Sequence, residues 1–259
     1  VAGPWMPAVI ALAVLPPLFI LVVVLDRSPG PSAADVAQRK RRRAMSGQEC
    51  WGLVASLGPG LVMYYVSFGS LTALRSFRDL FFEDLMQGAN GGTLPSSAVM
   101  TFVDVPAAIV AAVVMVAFSR CKNGRVAIRG MFVVTVVSMV LTGLVTVAFL
   151  FGVVGGVAWQ ILVGVSLFVP YALGSSVIYD RFVSVADVPG ATCVFLMLIG
   201  DLSGYIFTFF LLCWKTFDAG EPTPEQVMWQ YVKTICGAVP VLVVLYAMLL
   251  VYFACRVRR

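Results

Sequence analysis

Seven stretches of the chain are each long enough and apolar enough to cross a lipid bilayer: residues 5–25, 51–73, 97–118, 126–150, 157–178, 190–213 and 231–254. A helix rising 1.5 Å per residue needs roughly 20 mainly apolar residues to cross about 30 Å of hydrocarbon. Lipid offers no partner for backbone N–H and C=O groups, so such segments must satisfy those groups as helices. The sequence therefore predicts an all-α, polytopic transmembrane helical bundle of seven spans. Composition agrees: 60% of the 259 residues are hydrophobic and 12% are charged, where a soluble domain carries about 25% charged residues. The lipid bilayer is the partner that covers this surface. The pattern divides the chain into a leading transmembrane helix over 1–25, a basic central loop over 26–50 and a six-helix bundle over 51–259.

The formal charge is +5, but the cations sit in short loops beside apolar spans. That placement argues for orientation in a membrane and against a nucleic-acid partner. Arg27, Arg39, Lys40, Arg41, Arg42, Arg43, Arg120, Lys122, Arg125, Arg129, Arg181, Arg256, Arg258 and Arg259 fall on one side of the seven-span map. Arg75, Arg78, Lys215 and Lys233 fall on the other, a bias of fourteen to four. The richer side is predicted to be cytoplasmic, with the N-terminus outside and the C-terminus inside. The acidic loop with Asp218, Glu221 and Glu225 then lies outside. The run Arg39–Arg43 reads as an orientation signal touching anionic headgroups. The first span has neither the basic lead nor the cleavage site of a signal peptide. The opening at Val1 predicts further sequence upstream.

No histidine occurs, which removes the commonest metal ligand and the usual proton shuttle near neutral pH. Proton coupling, if present, rests on carboxylates. The six cysteines contain no Cys-x-x-Cys pair. Cys213 and Cys236, both mapped near the outer face, are the one candidate disulfide. No His-Glu-x-x-His, Gly-x-Ser-x-Gly or phosphate-binding loop is found. The expectation is a protein that is not an enzyme and has no cofactor or metal.

Function must then lie in polar groups inside the membrane. Asp201 is near the centre of the sixth span, where a carboxylate costs about 2.5–3.5 kcal/mol. It is expected to face a cavity or partner. Gly200 and Gly204 beside it allow close helix approach, and Thr208 shares that face. Asp104 stands two residues before Pro106, which predicts a bend that can open to water. Arg75 closes the second span, either reaching to the headgroups or pairing with Asp104 or a solute. Residues 75–85 mix charge and aromatics and are expected to extend that helix along the interface. Thr135, Ser138, Thr142 and Thr146 line one face of the fourth span and favour bonds to neighbouring helices. Gln160, Gly164, Pro170, Gly174, Ser175 and Ser176 predict a kinked, close-packed fifth span. Asp201, Asp104 and Arg75 are the candidates for substrate or proton coupling. Asp180, Arg181, Lys122 and Arg125 are candidates for a cytoplasmic gate.

One span, a basic loop and six further spans resemble the sixth helix, central loop and C-terminal half of a major facilitator superfamily transporter. The loop Arg120–Arg125 (RCKNGR) is similar to that superfamily's short basic loop, with Cys121 where the acidic residue stands. A closer resemblance is to a family of major-facilitator-like membrane proteins known only as a domain of unknown function. It rests on Trp5–Leu18, Leu71–Phe81, Val103–Pro106, Tyr179–Phe182 and Gly200–Tyr205, in that order. Asp104 replaces a glutamate of that pattern, and the stretch from the fifth-span proline to Asp180–Arg181 is longer. The resemblance implies a secondary transporter of an unknown small solute, partnered by an N-terminal half of the same protein. The alternatives are a non-transporting interaction subunit and, with less to recommend it, a seven-helix receptor. The receptor's Asp-Arg pair would be misplaced here, after the fifth span.

Overall fold

The computed structural model describes residues 6–27, 30, 45–121, 123–186, 188, 192–217 and 222–256. Trp5, Arg39–Arg43, Lys122, Gly190, Asp218 and Glu221 lie outside them. All regular structure among the described residues is helical. The chain divides into two units, Val1–Arg43 and Ala44–Arg259. The first contributes α1 (Met6–Asp26), a 21-residue apolar helix containing Pro16 and Pro17.

The second unit is a helical bundle. Helix α2 (Gly47–Leu57) starts at a capping box, in which Glu49 N–H donates to Ser46 Oγ at 3.3 Å and Ser46 N–H donates to Glu49 Oε2 at 2.8 Å. It ends at Gly58, and α3 (Pro59–Leu80) leaves at 86°. The unbroken second span expected over 51–73 is therefore corrected. Gly58 adopts φ 60°, ψ −149°, a region open to glycine and closed to other residues. Pro59 supplies the first turn of α3 without needing a donor. Trp51 lies on the exposed side of α2.

A second correction concerns residues 75–85. Helix α3 runs to Leu80, and then α4 (Phe82–Ala89) folds back against the bundle with Leu85 and Met86 fully buried. Phe77 and Arg78 are buried too. The expected extension of the helix therefore holds as far as Leu80, and from Phe82 the chain turns back to bury Leu85 and Met86.

Next come α5 (Ser97–Phe102) and α6 (Val105–Ser119), separated by a break at Val103–Asp104 where Pro106 predicted a bend. Then follow α7 (Gly124–Leu150) and α8 (Gly156–Ala172), a π-helical turn over Leu173–Val177, α9 (Ile178–Ala186), α10 (Cys193–Phe217) and α11 (Pro224–Arg256). A π turn follows Pro170 within a segment that continues as one span over Gly156–Ala186; Tyr64 Oη donates across to Gly174 O at 2.8 Å. Among the described residues, five helical segments are long and apolar enough to cross a membrane, or six with the bent pair α2–α3 taken as one span. All six cysteines are free, including Cys213 and Cys236, so the candidate disulfide is not formed.

Helix α11 packs along α7 and α3, α10 lies on α3, and α8 sits between α6 and α7. The predicted hydroxyl face of α7 is a seam with α8. Thr135, Ser138, Thr142 and Thr146 are all buried. Thr142 and Ser166 hydroxyls meet at 2.7 Å, and Trp159 Nε1–H donates to Thr146 Oγ1 at 3.2 Å. Each donor spends its capacity inside the bundle, as an apolar surrounding demands.

The two ends of the bundle differ. At one, Arg181 donates to Phe118 O at 3.1 Å and Arg129 to Ala254 O at 3.0 Å. Cations thereby satisfy the last carbonyls of helices. At the other, backbone packs on backbone: a Cβ on Gly156 would strike the carbonyl of Ala89, whereas one on Gly237 would meet open space. Gly156→Ala is expected to destabilise by about 1–3 kcal/mol, the usual cost of overpacking. Gly237→Ala should cost nothing measurable, and thermal unfolding of the two variants in detergent compares them directly.

Candidate functional site

Three residues on one face of α3 begin the site. Arg75, Arg78 and Asp79 are spaced i, i+3, i+4, so their side chains rise from adjacent turns of the same stripe. Arg78 points into the bundle and is 5% exposed at its side chain. Its Nη2 donates to Asp104 Oδ1 at 2.6 Å and to the Gln160 carbonyl at 3.2 Å, and its Nη1 lies 3.5 Å from Asp79 Oδ1. Arg75 pairs with Asp79 Oδ2 at 3.0 Å and stacks over Tyr171, 4.1 Å from the ring centre, with Phe168 at 5.3 Å. Cation–π contact of this kind holds a guanidinium against an apolar wall while leaving its edge free to donate.

Local backbone explains the acid opposite. Asp104 occupies the N-cap of α6, where aspartate commonly accepts from the helix's own first N–H groups. Here it makes no such cap bond, and its carboxylate is turned to Arg78 instead. Gly164 of α8 completes the fit: a Cβ there would lie 2.8 Å from Arg78 Nη2 and 3.0 Å from Cζ. The absence of a side chain makes the slot for the guanidinium. Phe82 of α4 covers it from another side, with its ring centre 5.6 Å from Cζ.

These groups line a cavity of about 310 Å³, whose apolar walls are Phe82, Ala107, Ala108, Leu167 and Phe168. Gly164 is eight residues past the start of α8, which places this wall roughly 12 Å in from that end of the helix. The charges balance, two guanidinium groups against two carboxylates, but they are not equally accessible. Arg75 is 26% exposed, Asp79 40% and Asp104 60%. Beside them lie donors without partners among the described residues: Arg78 Nε, the Gln160 side-chain amide and the Tyr231 hydroxyl, all buried.

Of the residues expected from sequence, Asp104 and Arg75 line this cavity, although Asp104 pairs with Arg78 and not with Arg75. Asp201 does not line it. It is exposed on α10, two turns from Thr208 on the helix whose Gly204 abuts Thr72 and whose Thr208 Oγ1 donates to Ser76 Oγ at 3.3 Å. Of the proposed gate, Arg181 holds the end of α6 through Phe118 O. Asp180 and Arg125 are exposed, and Lys122 lies outside the described residues. Sequence reasoning missed Arg78, Asp79 and Phe82. The signal available was their spacing after Arg75, which continues the stripe inward.

A family model described as a family of unknown function, DUF5690, matches residues 1–256. The chain belongs to this family. No curated protein and no solved structure matches the chain. Membership in DUF5690 accords with the many-helix membrane chain seen here and brings no substrate with it.

The Arg78–Asp104 contact is directly measurable. A double-mutant cycle with Arg78→Gln and Asp104→Asn, read by thermal unfolding in detergent, is expected to give a coupling of about 1–3 kcal/mol. The cycle pairing Arg75→Gln with Asp104→Asn should give less than about 0.5 kcal/mol.

Proposed function

We propose that the protein is a secondary transporter of a small solute and that the cavity between α3, α6 and α8 is its binding site. The observation that carries this reading is the Arg75–Arg78–Asp79–Asp104 cluster, held within otherwise apolar helices. Ionisable groups inside a membrane bundle are costly, and they mark solute or ion pathways by default. Broken helices add support. The α5–α6 break carries Asp104, and the π turn after Pro170 interrupts the helix that carries Gly164 and Phe168. Discontinuous helices form the midplane sites of secondary transporters.

In this reading α1 and the bent pair α2–α3 complete a set of seven spans. The arginine-rich end of the bundle faces the cytoplasm, leaving the N-terminus of this chain outside. The resemblance to a major facilitator C-terminal half supplies the partner, an N-terminal half against which this bundle rocks. Asp201 belongs to that interface: a mid-depth carboxylate is poorly placed against acyl chains, and the flank of α10 is better covered by protein. A second reading, a membrane interaction subunit without transport, draws on the basic loop. Neither Arg125 nor Asp180 has an ion-pair partner among the described residues.

The test is uptake by the full-length protein in liposomes, scored across a panel of small charged solutes. Arg75→Gln is expected to cut uptake roughly tenfold or more, the loss that follows when a charged hydrogen bond of about 1.5–3 kcal/mol is removed. Asp201→Asn tests the interface separately. Uptake of no solute by correctly inserted protein would favour the interaction subunit.

A further inference from the structure

From the charge inventory of the cavity we infer that its solute is a zwitterion of amino-acid size, carrying a carboxylate and an ammonium together with an apolar side chain. The inference rests on the transport reading of the same cavity and narrows it to a substrate class.

Every full charge in the cavity is already matched. Arg78 faces Asp104 and Asp79, and Arg75 faces Asp79. A bare anion at the edge of Arg75 would add a net negative charge to a cluster whose charges already balance, next to the carboxylates of Asp79 and Asp104, which is unfavourable. A bare cation would likewise add a net positive charge next to the two arginines. A zwitterion exchanges partners without changing the number of paired charges. Its carboxylate meets the accessible edge of Arg75, and its ammonium meets the oxygens of Asp79 and Asp104 that face the cavity. Accessibility points the same way: Arg78 is closed off, whereas Arg75, Asp79 and Asp104 are 26%, 40% and 60% exposed.

Arg78 then has a positioning role. It is fixed by Asp104, by the Gln160 carbonyl and by the empty slot over Gly164, and its buried Nε has no partner among the described residues. It holds Asp79 and Asp104 at one wall, so that the solute's ammonium finds two acids together. The remaining wall is Phe82, Leu167 and Phe168, which suits an aliphatic or aromatic side chain. A volume of about 310 Å³ is at the lower end of the roughly 300–1,000 Å³ that holds drug-sized ligands. One amino acid fits this description better than a peptide or a nucleotide.

Three probes that share a phenylethyl group separate the charges: phenylalanine, 3-phenylpropionate without the ammonium, and 2-phenylethylamine without the carboxylate. Binding to the purified full chain in detergent is measured by calorimetry, and uptake of each is measured in liposomes. Phenylalanine is expected to bind at least about tenfold more tightly than either single-charge analogue, a difference of about 1.4 kcal/mol. Arg75→Gln should erase the preference over the amine, and Asp104→Asn the preference over the carboxylate. Asp79→Asn is read in place of Asp104→Asn should that variant not fold. This crossed pattern is one that a general loss of structure would not produce. Equal or tighter binding of either analogue, or binding of none of the three, overturns the inference. Selective binding of phenylalanine without uptake supports the site and overturns the transport reading. Unselective uptake of all three keeps transport and overturns the zwitterion.

Discussion

A guanidinium buried in an apolar bundle sets the terms for everything around it. Arg78 is nearly sealed from solvent, and lipid cannot compensate it. The fold supplies the compensation from three directions: Asp79 from the same helix, Asp104 from a broken one, and a backbone carbonyl from α8. Each contribution has a structural cost. Asp104 forgoes its cap bond to α6, and α8 must keep a glycine at Gly164. The pair thus ties α3, α6 and α8 together near one end of the bundle. Relative movement of those helices has to break this ion pair or offer Arg78 a substitute.

The rest of the bundle is built differently. Between α7 and α8 the joints are hydroxyls and an indole, short bonds whose members are all buried. Trp159 is fully buried and stacks on Phe149 with ring centres 4.3 Å apart. Buried and mutually satisfied polar groups of this kind make a rigid joint, because separation leaves each one unpaired. The charged cluster is open on one side: Arg78 is sealed, whereas Arg75, Asp79 and Asp104 are partly exposed. The stiff seam and the exchangeable one lie on two faces of the same α8. This helix also carries the π turn, so its cavity-lining part and its far end need not move as one.

Much of this was legible in the sequence, and what was hidden was hidden for identifiable reasons. Apolar stretches marked the helices, and Pro106 and Pro170 stand beside a local turn at Val103–Asp104 and a π turn at Leu173–Val177. The Thr135–Thr146 stripe was readable because its period is that of a helix. The break at Gly58–Pro59 was missed because apolarity summed along the chain is blind to a backbone that turns through 86°. The signal was there in the Gly-Pro-Gly run. Arg78 was missed because counting cations by loop treats each arginine as a surface anchor, whereas position along the α3 stripe decides which one points inward. Cys213 and Cys236 shared a mapped depth without sharing a contact. Asp201 was correctly placed on its helix, but the side it faces follows from how Gly204 and Thr208 seat α10 against α3.

That seating links the two acids the sequence singled out. Thr208 of α10 touches Ser76 of α3, the residue next to Arg75, and Gly204 rests on Thr72 one turn earlier. Asp201 is on the same helix, a few residues away and exposed. Helix α10 therefore bears directly on the turn of α3 that presents Arg75 to the cavity. Coupling by this route needs a seam with two arrangements that both sites bias. The small, weakly bonded contacts at Thr72, Ser76, Gly204 and Thr208 are better able to provide it than the fully buried joint between α7 and α8.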